Sequence, residues 1–74
     1  MPRFYFHIHD GVDLRDDVGT ELPGRDAIRS HSLRLAGECI RHLQDNFWGH
    51  CEWRLDVTDE QGVNVLTLRF SGED

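Results

Sequence analysis

The opening strand constrains this chain more than any other feature. Arg3-Phe4-Tyr5-Phe6-His7-Ile8-His9 alternates strictly. Phe4, Phe6 and Ile8 fall on one side of an extended backbone, and Tyr5, His7 and His9 on the other. Asp10-Gly11 follows as a turn signal, because glycine accepts positive φ and the Asp side chain caps the turn. A strand with one apolar face needs neighbours at its edges and a cover over that face.

The rest of the chain supplies both. Residues 12–15 return as a short, acid-rich edge strand, which Asp16-Asp17-Val18-Gly19 breaks or bulges. Pro23-Gly24 precedes a helix expected over 25–45, with Asp26 placed to complement the positive end of the helix dipole. Ile28, Leu35, Ala36, Cys39 and Leu43 recur on one stripe, with Ile40 on its flank, and Ser30, Arg34, Glu38 and Arg41 take the opposite side. Asn46 and Gly49 are competent to end the helix.

Two further strands are expected over 51–59 and 63–70, joined by the turn Asp59-Glu60-Gln61-Gly62, with a frayed tail over 71–74. The fold class is α+β. The chain forms a single ββαββ domain, a small antiparallel sheet with one amphipathic helix on one face. The first strand is the most apolar and belongs inside the sheet. A right-handed crossover then gives the spatial order second, first, third, fourth.

Composition narrows the function. In 74 residues only one modest core is possible, and Phe4, Phe6, Trp53 and Phe70 must carry much of it. The net charge is −6 and the chain has no lysine, so the basic footprint of a nucleic-acid binder is missing. No stretch approaches the roughly 20 apolar residues of a membrane span. The expected location is the cytoplasm, with both cysteines reduced.

The opening Pro2-Arg3-Phe4-Tyr5-Phe6-His7-Ile8-His9-Asp10-Gly11, followed by Arg15-Asp16-Asp17-Val18-Gly19-Thr20-Glu21-Leu22-Pro23, resembles a family of short bacterial proteins of unknown function. The likeness is strong over the first third and rests on layout beyond it. It implies a cytoplasmic bacterial protein and no established catalytic or binding residue. His7 stands where the family pattern often has an acid, and Gly24 where a capping Asp is usual.

Few residues carry chemistry. His7 and His9 project from the same face of one strand, which is workable for two zinc ligands, with Asp56 or His50 as helpers. The plainer reading is a solvated strand face. The acids Asp10, Asp13, Asp16, Asp17 and Glu21 lack the spacing of a calcium loop. Cys39 and Cys51 share a core-facing parity and read as buried thiols. No nucleophile elbow, phosphate loop or paired-carboxylate motif occurs, so no enzyme is expected and no cofactor is required.

Phe47 and Trp48 follow the helix as either a plug closing the core or an exposed anchor for a partner. Tyr5 and Arg69 join them as interaction candidates. The leading expectation is a non-catalytic protein-interaction module that binds itself, as a homodimer, or another protein, and binds neither nucleic acid nor membrane. The alternative is a small ligand- or metal-binding domain built on Tyr5, His7 and His9. A third reading is an adaptor whose arginine-bearing helix face docks an acidic partner.

Overall fold

The computed structural model describes residues 2–11, 13–43 and 52–72. Strand β1 (Arg3–His9) runs through the middle of an antiparallel sheet, as its apolar alternation requires. On one side it pairs with β4 (Trp53–Thr58), with His7 opposite Asp56 and Ile8 opposite Leu55. β4 in turn pairs with β5 (Asn64–Phe70), with Leu55 opposite Leu68 and a register shift at Val57/Thr58. The spatial order β2-β1-β4-β5 is the one expected from the sequence.

The other side of β1 differs from the expectation. Of the expected strand over 12–15 the return segment keeps Asp13–Leu14, with Val12 outside the described residues. It pairs twice and briefly, as β2 (Asp13–Leu14) beside Ile8 and His9 and as β3 (Thr20–Glu21) beside Arg3 and Phe4. β3 was not foreseen, because two residues carry no detectable alternation. β4 is shorter at both ends than the expected 51–59, whose Cys51 lies outside the described residues, and β5 starts one residue later than the expected 63.

Helix α1 (Arg25–Leu43) covers one face of the sheet. The expected end at residue 45 lies outside the described residues. Gly24 carbonyl accepts the Ile28 N–H at 3.1 Å, so the chain enters its first turn at the Pro23-Gly24 break. Ile28 and Ala36 pack with Phe6, Trp53, Leu55 and Val57 as the buried core, and Phe4, Ile8, Leu66, Leu68 and Phe70 complete it. Leu55 and Val57 are wholly buried. Each such side chain contributes about 1.5–3 kcal/mol. Phe6 also meets the His31 ring at 4.7 Å between centroids, which ties the helix to the central strand.

Asp16 holds together the gap between β2 and β3. Its Oδ2 accepts the Phe6 N–H of β1 at 3.1 Å, where a partner carbonyl is missing. Its Oδ1 accepts the Val18 and Gly19 N–H groups at 3.0 Å each. The Asp16 N–H donates to His7 Nδ1 at 3.1 Å. One side chain therefore closes the loop on itself and pins it to the central strand. Arg3 secures the far end, donating to Val18 and Gly19 carbonyls at 2.8 and 3.4 Å and to Glu21 at 3.0 Å.

Gly19 makes the close approach possible. It sits at φ +80°, and a Cβ there would lie 2.7 Å from Arg3 Cγ and 2.9 Å from Tyr5 Cε1. Both the dihedral and the space exclude a side chain.

Burial disfavours the ionised Asp16 carboxyl, but the N–H groups of Gly19, Phe6 and Val18 outweigh it and hold the group below its ordinary value. A lowered carboxyl stabilises the fold above its unfolded pKa, about 3.9, and that contribution is lost as pH falls through the folded value. Asp16→Ala is expected to cost about 2–3 kcal/mol in urea unfolding at pH 7. Asp16→Asn should cost less, because its oxygen still accepts from Val18 and Gly19. The difference between wild type and Asp16→Ala should shrink below pH 4; a constant difference down to pH 2 would contradict the clasp.

Candidate functional site

Among the described residues two surfaces stand open: the sheet face away from α1, and the edge of β5 that has no partner strand. On the open face His7 and His9 do project together, as their spacing requires. Their rings are engaged separately. His7 Nδ1 receives the Asp16 N–H, so it carries no proton, and the proton of the neutral ring sits on Nε2, which donates to Thr58 Oγ1 at 3.1 Å. His9 lies between two carboxylates, with Nδ1 at 2.6 Å from Asp13 and Nε2 at 3.3 Å from Asp56.

Asp56 is the hub of this face. It also receives Arg54 Nε at 3.1 Å and Thr67 Oγ1 at 2.9 Å, and Thr67 is held in turn by Asn64 at 3.0 Å. The sequence suggested Asp56 as a helper for metal binding; it stands opposite His7 in the register, but its carboxylate contacts the His9 ring. The hydrogen bond from His9, then its charge, lowers the Asp13 carboxyl from its ordinary value, and Arg54 adds to this. Among the described residues no group of three or more His, Cys, Asp and Glu side chains converges on a point where a metal would sit. A ligand role for His7 through Nδ1 would require breaking the hydrogen bond from Asp16, and one through Nε2 would require breaking both bonds, because the ring proton would have to move to Nδ1.

The remaining candidates are dispersed. Tyr5 packs beside Gly19 at the loop between β2 and β3. Arg69 stands on β5, 3.6 Å from Glu52, two strands away. Adjacent strands lie about 4.8 Å apart, so these two do not form one patch. Phe47, Trp48, His50 and Cys51 lie outside the described residues. Cys39 is a free thiol that burial, then the charges of Asp10 and Glu38, pushes up, the opposite of an activated nucleophile.

The free edge of β5 offers different chemistry. β5 is the last strand of the sheet, and between it and α1 lies a groove of about 280 Å³, lined by Arg29, Ser32, Leu33, Leu66, Thr67 and Leu68. That is below the roughly 300–1,000 Å³ of a small-molecule pocket, and suits side chains presented by another strand. Leu33 is 60 % exposed, and Val63 and Val65 on the same hairpin are 57 % and 45 % exposed. Ser32 is wholly buried and its Oγ has no hydrogen-bond partner among the described residues. Trp53 Nε1 shares that condition, edge-on to Phe70 at 5.7 Å between centroids.

Sequence reasoning passed over Ser32 and Leu33. The signal for Ser32 was its spacing, four residues after Ile28 and four before Ala36, which sets it in the buried stripe whatever its polarity.

The chain matches, over residues 3–71, the family described as a domain of unknown function, DUF6894, and it belongs to that family. No curated protein and no solved structure matches it. The family thus agrees with the resemblance carried by the opening strand and the acidic stretch after it, and assigns no role to any residue.

Two substitutions test how far the helix is shaped by its own fold. Ser32→Ala removes a buried hydroxyl that finds no partner and adds helix propensity, so stability should hold or rise by about 1 kcal/mol. A Cβ at Gly37 meets nothing within 4 Å. Gly37→Ala should therefore stabilise by about 1 kcal/mol. Chemical denaturation of the two variants measures both, and a loss at Ser32 would reveal a hydrogen bond that the geometry does not contain.

Proposed function

We propose that this protein is a non-catalytic protein-interaction module whose docking element is the free edge of β5. The asymmetry of the two sheet edges carries this reading. The β2/β3 edge is interrupted, acidic and tied down by Asp16 and Arg3, the features by which a sheet avoids pairing with other chains. β5 lacks these protections over most of its length. Leu66 N–H is taken up by the Asn64 side chain at 3.2 Å, and the rest of its outward row has no partner strand among the described residues. Strand addition along such an edge draws affinity from main-chain hydrogen bonds and specificity from side-chain pockets.

A second copy pairing antiparallel through the same strand is the simplest closed assembly and makes the protein a homodimer. In that register Arg69 does not have to meet its own copy: with Thr67 on the two-fold axis, Leu66 faces Leu68 and Val65 faces Arg69. The cytoplasm suits the reduced thiol of Cys39, and no described helix is long and apolar enough to cross a membrane. The open-face alternative, with Tyr5, His7 and His9 holding a ligand or zinc, has less support, since the polar groups there already satisfy one another.

Val65→Lys and Leu33→Asp change exposed side chains, so both variants should fold. Native mass spectrometry of protein purified from cells should show the wild type as a dimer of the 8.6 kDa chain or with a retained protein partner, and both variants as bare monomers. Wild-type protein that is monomeric and partner-free at every concentration, with pull-downs unchanged by Val65→Lys, would count against the β5 edge.

A further inference from the structure

We infer that the groove beside β5 reads an acidic side chain, and that its occupant is an extended segment of another protein in which apolar residues flank an Asp or Glu. The inference rests on the β5-edge reading above and adds the chemistry of the partner.

Three observations point the same way. First, the apolar lining of Leu33, Leu66 and Leu68 is closed at one side by Arg29, whose guanidinium makes no ion pair among the described residues. Arg3, Arg54 and Arg69 have carboxylate partners; Arg15, Arg25, Arg29, Arg34 and Arg41 have none among the described residues, and of these five Arg29 is the one that lines the groove. Second, Ser32 lies in the same lining with a buried hydroxyl that has no hydrogen-bond partner among the described residues. A buried donor left unpaired costs free energy, which an incoming acceptor recovers. Third, Arg29, Leu33 and Gly37 fall four residues apart on one ridge of α1. Gly37 has open space around it, and helix propensity alone would favour Ala there. A small residue on that ridge leaves room for a second backbone to approach.

A second copy of β5 does not answer this chemistry. Asn64-Val65-Leu66-Thr67-Leu68-Arg69-Phe70 contains no acid. A strand laid against β5 alternates its side chains, so one set faces the helix layer and meets Leu33 and Arg29. Apolar residues beside Leu33 and a carboxylate beside Arg29 and Ser32 are what that row accommodates.

Three synthetic strands test this against ¹⁵N-labelled protein: an eight-residue alternating Val/Thr peptide with a central Glu, and the same peptide with Gln or with Lys. The Glu peptide should shift the amides of Leu66–Phe70 and bind about fivefold more tightly than the Gln peptide, the range of a partly exposed ion pair. High salt should erase the difference. Arg29→Glu, at an exposed position, should keep the fold and reverse the order, so that the Lys peptide binds best. Equal binding of the Glu and Gln peptides at β5 would overturn the acidic inference and leave the edge reading standing. Binding of none of the three by a monomer would overturn both. Binding of none by a protein already dimeric through β5 would overturn this inference in favour of a second copy.

Discussion

The Asp16 carboxylate takes the place of a missing strand, and the rest of the architecture depends on it. β1 is the spine of the sheet, and the segment that should flank it carries too many acids and too few β-formers to pair along its length. By accepting the N–H groups of Phe6, Val18 and Gly19, one side chain satisfies backbone donors that a continuous strand would have satisfied. His7 is drawn into the same arrangement through the Asp16 N–H, and Thr58 extends it to β4. Phe6 is thereby held in register over the helix stripe.

This arrangement makes the two edges of the sheet unequal. The β2/β3 side is bulged, charged and internally hydrogen-bonded, so another chain cannot easily add to it. β5 is longer, carries one charged residue and borders an apolar groove. Binding at such an edge needs no catalytic constellation. The polar groups on the open face form a connected network around Asp56, which orders β1, β4 and β5 relative to one another.

Much of the fold was legible in the residues. Period-two alternation placed β1, β4 and β5, the helix stripe placed α1, and the apolarity of the first strand placed it centrally. β3 escaped because Thr20-Glu21 is too short to show a period, and its pairing with Arg3 and Phe4 is imposed by the clasp. His7 and His9 read as possible metal ligands because sequence shows that they share a face and cannot show that Asp16, Thr58, Asp13 and Asp56 already engage their nitrogens. Ser32 was overlooked because polarity was weighed before position.

The sequence by itself determined the α+β class, the element order, the dry and wet faces of the sheet and the family of unknown function. The fold features follow from local periodicity, which each segment carries alone, and the family from the motifs over residues 2–23. Only the tertiary structure decided that Asp16 braces the central strand, that the open-face histidines are satisfied internally, and that Arg29, Ser32 and Leu33 meet Leu66 and Leu68 in one groove. Each of these depends on groups far apart in the chain, and no local pattern records which of them the fold brings within a few ångströms.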